Sequence, residues 1–155
     1  MRPATHRLIQ PLLVLAVFVA DRWTKVWAHD SLEPVGSIRV FPFFHLTYLE
    51  NTGAAWGMLR GRNILLIGIS LALLAALFHL KRRWPSRNLW THYGLVLVAG
   101  GALGNLYDRI RFGAVIDYLD FLVWPVFNVA DSCITVGACC LAWGLHAAEK
   151  QTPTC

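Results

Sequence analysis

Charged residues are scarce. Asp, Glu, Lys and Arg make up 15% of the 155-residue sequence, where soluble domains carry roughly 25%. That shortage, with 56% hydrophobic residues and a mean hydropathy of +0.48, argues against a water-soluble globule and against a disordered chain. Cysteine is scarce too. Four residues are too few for a disulfide scaffold. Cys133, Cys139 and Cys140 sit inside an apolar run, where they read as packing residues, and Cys155 ends the chain. No C-x-x-C pair is present, so neither a zinc site nor a thioredoxin-type site has support. Internal repeats and low-complexity tracts are also lacking. What remains is an integral membrane protein.

A membrane-crossing helix needs about 20 largely apolar residues. Four stretches qualify, at about 8–28, 63–80, 89–107 and 127–147. They form a single mostly α-helical domain over 1–155. The first stretch also resembles a secretory signal, since Arg2 and Arg7 precede its apolar core and Val26-Trp27-Ala28 loosely resembles a cleavage site. A signal peptide would leave the other three stretches unexplained.

The net charge of +5 is distributed as a topology signal rather than as a nucleic-acid surface. Arg2, Arg7, Lys81, Arg82, Arg83, Arg87 and Lys150 fall on one side of the four spans, opposed only by Glu149. On the other side bases and acids nearly cancel. Basic residues mark cytoplasmic loops, so both termini are expected in the cytoplasm, with 29–62 and 108–126 outside. Pro85-Ser86 marks a tight cytoplasmic turn. Within 29–62, Ile38–Phe41 and His45–Glu50 partly alternate polar and apolar residues around Pro42. This predicts short β-strands, a small sheet at the membrane surface. Its aromatic residues Phe41, Phe43, Phe44 and Tyr48 suit the interface.

Acids at membrane depth are costly and mark function by default. Here the polar residues form four groups, all at the outer ends of the spans. Asp21 and Lys25 are spaced i, i+4 and can pair; a structural ion pair is the plainer account of them. Asn51-Thr52-Gly53-Ala54-Ala55-Trp56-Gly57 combines an amide with small residues that permit close backbone approach; a loop leading into the second span is the alternative. In Gly100 to Arg109, Gly100 and Gly104 form a small-xxx-small helix-packing pattern. Asn105, Asp108 and Arg109 are left over, and Asp108–Arg109 could be a scaffold pair. The last group holds Asp117, within Val115-Ile116-Asp117-Tyr118, and Asn128 with Asp131 at the start of the fourth span. A turn between residues 117 and 131 would bring their carboxylates together; two unrelated interfacial acids are the alternative.

Two adjacent carboxylates cannot easily both ionise, so they share a proton near neutral pH. One then serves as general base on water and the other as general acid. This is aspartic-protease chemistry, with neither metal nor cofactor expected. The outer His29 and His45 are isolated and offer no ligand pair. Ser132 beside Asp131 lacks a histidine in a matching motif.

Taken together and in this order, Asp21-Arg22-Trp23-Thr24-Lys25, Asn51 to Gly57, Gly100 to Arg109, Val115-Ile116-Asp117 and Phe127-Asn128-Val129-Ala130-Asp131 resemble lipoprotein signal peptidase, or signal peptidase II. The resemblance covers nearly the whole chain. It implies a monomeric, multi-pass endopeptidase of the bacterial inner membrane, active near the periplasmic face and surrounded by membrane lipids. Its substrates would be diacylglyceryl-modified prolipoproteins, cut just before the lipidated cysteine. The implied catalytic residues are Asp117 and Asp131. Asn51, Asn105, Arg109, Asn128 and Asp108 fall on supporting positions, and Asp21 and Lys25 on structural ones. The segment 115–118 departs conservatively from the family pattern, with Ile116 and Tyr118 where valine and phenylalanine are usual. The stretch from 117 to 131 is short. Asp120, one turn from Asp117, and Asp108 are rival candidates, but Asp117 is the residue that matches the motif. Tyr118, Phe121 and Trp124 are expected to form a flap over the site. A membrane scaffold or proton relay and a lipid phosphatase are the competing functions. The phosphatase is disfavoured because acids offset the outer bases.

Overall fold

A computed structural model describes residues 5–83 and 88–149. Four helices dominate it: α1 (Thr5–Leu32), α2 (Asn63–Arg83), α3 (Leu89–Arg111) and α4 (Val129–Glu149). Three short strands complete it: β1 (Ser37–Phe41), β2 (Phe44–Asn51) and β3 (Val115–Asp120). Each expected span corresponds to one helix. α1 and α3 run about a turn beyond their expected ends, at residues 28 and 107. Arg2, Arg87, Lys150, Cys155 and the Pro85-Ser86 turn lie outside the described residues.

By length and composition, Asn63–Arg83 and Val129–Ala147 are apolar enough to cross a membrane. α1 and α3 mix their apolar residues with charges, glycines and amides that the other helices cover. Much apolar surface faces outward, including Leu12, Leu15, Val19, Ile64, Ile69, Phe78 and Val136. Water would oppose exposing so much apolar surface; lipid would not.

α3 is the central helix, packing against α1, α2 and α4, and glycine makes this possible. A Cβ on Gly100 would strike Val17 of α1, and one on Gly104 would strike the Asp21 carboxylate. A Cβ on Gly101 would strike the Ala130 carbonyl of α4. The small-xxx-small pair at 100 and 104 therefore does pack tightly, against α1. At its start, α3 is capped by Asn88, whose side chain accepts from the Trp90 amide at 2.9 Å.

The two expected strands form an antiparallel hairpin turning at Pro42 and Phe43. The segment 108–126, expected as an outer loop, contains a third strand. β3 pairs antiparallel with β2, setting Asp117 opposite Leu49 and Val115 opposite Asn51. The strand geometry also corrects two side-chain expectations. Residues 117 and 120 face opposite sides of the sheet, so Asp120 is not one helical turn from Asp117. It accepts a hydrogen bond from Thr47 Oγ1 at 2.9 Å and another from the Leu122 amide at 2.8 Å. Tyr118 also points away from Asp117. It is buried against Ala28 and Leu32 of α1 and edge-on to Trp27, and is no part of a flap.

Candidate active site

The chain returns sharply after β3. Phe127 bridges back to Leu119, donating to its carbonyl at 3.0 Å and accepting from its amide at 2.8 Å. That bridge sets the next residue, Asn128, beside Asp117. Asn128 also caps α4. Its Oδ1 accepts from the Asp131 amide at 2.9 Å, while the Asn128 amide donates to Asp131 Oδ2 at 3.4 Å. This reciprocal arrangement is a capping box. It satisfies amides that the helix start leaves unpaired and fixes the Asp131 carboxylate where the helix dipole favours negative charge. The 117–131 segment thus makes the turn expected of it.

Asp117 is buried, and two amides hold its carboxylate. Asn128 Nδ2 donates to Oδ1 at 2.6 Å and Asn51 Nδ2 to Oδ2 at 2.9 Å. Asn51 reaches it because register places the two residues diagonally on one face of the β2–β3 pair. Burial, and then the charge of Asp131, push the Asp117 carboxyl up to about 7. The amide hydrogen bonds and Lys25 oppose that rise. Asp131 is half-buried, and Asn105 Nδ2 donates to its Oδ1 at 2.7 Å. Asn105 Oδ1 in turn accepts from Asn128 Nδ2 at 3.2 Å. Two asparagines therefore link the two carboxylates.

Arg109 lies at the outer end of α3. Its Nη2 donates to the Gly53 carbonyl at 3.1 Å, and its buried Nε has no hydrogen-bond partner among the described residues. Gly53 is itself tied to Asn51, whose Oδ1 accepts from the Gly53 amide at 2.9 Å. A side chain on Gly53 would strike the Met58 carbonyl. The Asn51-to-Gly57 segment thus connects β2 to Arg109 through its backbone.

Asp108 does not pair with Arg109. It points into α1, where it pairs with Arg22 and, at 2.8 Å, with Lys25. Lys25 also pairs with Asp21 at 2.9 Å, as the i, i+4 spacing predicts. Asp21, Lys25 and Asp108 are all fully buried. Asp108 thus belongs to an ion cluster behind the carboxylates. Two further contacts have no local sequence signal. Asp21 Oδ1 accepts from the Ala130 amide at 3.0 Å. Asn63 Nδ2 donates to the Arg109 carbonyl at 2.9 Å.

Fold and site together define an apolar helical bundle with carboxylates, amides and bases gathered at one end. The sequence profile of signal peptidase (SPase) II matches residues 13–147. Proteins named lipoprotein signal peptidase are similar over most of their length. That of Halothermothrix orenii is 44% identical, covering 90% of this chain and 96% of the relative. That of Pelotomaculum thermopropionicum is 42% identical, covering 86% and 89%. That of Vibrio cholerae is 38% identical, covering 92% and 89%. Two solved structures, each described as a bacterial membrane enzyme, share the fold. One superposes with a TM-score of 0.82 at 29% identity, covering 94% of this chain and 93% of the other. The second gives 0.79 at 32% identity, covering 93% and 94%. The chain belongs to the signal peptidase II family of peptidases.

Proposed function

We propose that this chain is an aspartic endopeptidase that removes the signal peptide from diacylglyceryl-modified prolipoproteins, cutting before the lipidated cysteine. Family membership supports the cleavage of lipoprotein signal peptides. The observation that carries the aspartic mechanism is the linkage of Asp117 to Asp131 through Asn128 and Asn105. One proton is shared between the acids at neutral pH. The ionised carboxylate takes a proton from water as the water oxygen attacks the scissile carbonyl carbon. The protonated carboxyl hydrogen-bonds to the carbonyl oxygen and gives up its proton as charge develops there. Collapse of the tetrahedral intermediate expels the amine of the lipidated cysteine, which leaves with a proton from the pair. Asn51 and Asn128 keep Asp117 oriented. The half-buried guanidinium of Arg109 is the group that would hold a substrate carbonyl.

In this proposal the four helices span the bacterial inner membrane at about 8–28, 63–80, 89–107 and 127–147. Both termini are cytoplasmic and the sheet is periplasmic. The outward apolar residues and the basic last turn of α2, Lys81 to Arg83, support that orientation. Membrane lipids surround a monomer.

The test is cleavage of a diacylglyceryl-modified prolipoprotein by purified protein in detergent, read by gel shift. Wild type should cleave with or without chelator, and Asp117→Asn and Asp131→Asn should each lose at least about a thousandfold in kcat. Loss in only one variant would break the pair. No cleavage by folded wild type would favour a scaffold or proton relay.

A further inference from the structure

Behind the acids lies a charge to which this chemistry assigns no task. Lys25 is fully buried. Its ammonium, a donor only, makes two ion pairs and one hydrogen bond. The ion pairs are with Asp21 and Asp108, at 2.9 and 2.8 Å. The hydrogen bond goes to a neutral group, Asn105 Oδ1, at 2.8 Å. Charge balance does not require that third contact. With Arg22 also on Asp108, the cluster already has two cations for two anions.

The third contact decides which way the Asn105 amide points. Its two ends are nearly the same shape but opposite in hydrogen bonding. If flipped, Asn105 would aim its oxygen at the Asp131 carboxylate and its NH2 at the NH2 of Asn128. Lys25 only donates, so it holds the oxygen on its own side. The Asn105 NH2 is then committed to Asp131, at 2.7 Å. The same oxygen accepts from Asn128 Nδ2 at 3.2 Å, and that NH2 also donates to Asp117 at 2.6 Å.

We infer that Lys25 is a positioning residue for the acid pair: its ammonium fixes the Asn105 amide, and thereby places Asp131 directly and Asp117 by way of Asn128. This rests on Asp117 and Asp131 being the reacting carboxylates. The charged groups around the pair are Asp21, Arg22 and Lys25 on α1, Asp108 and Arg109 on α3, and the acids themselves on β3 and α4. Tyr118 on β3 and Cys133 on α4 are further titratable neighbours, and β2 contributes the neutral Asn51.

The test separates positioning from mere charge balance. Lys25→Met alone leaves the buried Asp21 carboxylate without a cation and is expected to lower the unfolding temperature, because breaking a buried pair is costly. Lys25→Met with Asp21→Asn removes one cation and one anion together. Asn at position 21 keeps an oxygen for the Ala130 amide, and Asp108 keeps Arg22. Removing charges as a pair is often tolerated. The double variant should therefore melt close to wild type and keep KM within about threefold, while kcat falls about thirtyfold or more. Its pH–rate profile should move to higher pH by about half a unit or more, since the lost ammonium favours ionised carboxylates. Wild-type kcat and pH profile in a folded double variant would overturn the inference. So would a double variant that does not fold, because Lys25 would then serve the fold as such. Asp117→Asn and Asp131→Asn are measured alongside. If either still turns over normally, the acid-pair assignment fails and the role of Lys25 falls with it.

Discussion

Asn128 and Asp131 hold each other across the first turn of α4. The Asp131 amide donates to Asn128 Oδ1 at 2.9 Å and the Asn128 amide donates to Asp131 Oδ2 at 3.4 Å. A helix cap and a carboxylate of the proposed pair are thereby one device, because the contact that starts the helix also aims the acid.

The two jobs of Asn128 can be separated. Asn128→Ala removes both the cap and the donor to Asp117; it should cost about 1 kcal/mol for the cap and about a hundredfold or more in kcat. Asn128→Ser restores a capping oxygen but is too short to replace the donor. Its melting temperature should recover while its kcat does not. Thermal unfolding and steady-state cleavage, measured on both variants, check this.

The Asp117 carboxyl, pushed up to about 7, predicts the sign of a stability effect. Raised above its unfolded value near 4, the group contributes stability in full at low pH, and that stability is lost as pH climbs through about 7. Asp117→Asn cannot titrate. The stability of the variant relative to wild type should therefore rise between about pH 4 and pH 8, by at most about 4 kcal/mol. Melting curves across that range test it; no change with pH, or a fall, would refute it. Wild-type activity should peak near neutrality, where the pair holds one proton.

Gly101 packs where a Cβ would meet the Ala130 carbonyl, and backbone cannot rotate aside as a side chain can. Gly101→Ala should push α3 and α4 apart. An overpacking cost of about 1–3 kcal/mol is expected, with a loss of activity larger than that destabilisation explains, since Asp131 shares the first turn of α4 with Ala130. Gly68→Ala, where the space is open, is the control and should leave both stability and activity near wild type.

Trp124 meets Trp56 edge-on, with ring centroids 5.5 Å apart, and both rings are largely exposed. Of the flap expected from sequence, Trp124 and Phe121 remain candidates, with Phe121 stacked on Phe127. Trp124→Ala should raise KM about threefold to tenfold with kcat little changed, because it touches substrate rather than the reacting atoms. An unchanged KM would remove Trp124 from the substrate path.

The helices were legible because long apolar runs are a local signal, and the Asp21–Lys25 pair because i, i+4 spacing is local too. The β1–β2 hairpin was legible for the same reason. β3 was not. Val115-Ile116-Asp117-Tyr118-Leu119-Asp120 alternates only weakly, and its partner strand lies more than sixty residues earlier. Missing the strand misplaced Tyr118 and set Asp120 one helical turn from Asp117. The partner of Asp108 was misread for a related reason. Its neighbour in sequence is Arg109, but adjacent residues on a helix point different ways, and the partners of Asp108 lie on α1. Motif order pointed to Asp117 and Asp131, the acids of the proposed pair. It did not show that Asn105 joins them to Lys25, because a side-chain contact across eighty residues has no local signature.

The hydrogen bond from the Ala130 amide to Asp21 joins the first helix to the last. Its consequence lies in how the protein is made. A growing chain releases α1 from the ribosome long before α4, and until α4 docks, Asp131 is without its Asn105 contact and away from Asp117. On the proposed mechanism, a chain still being made therefore lacks the acid pair, and the chemistry is assembled only when the final helix arrives.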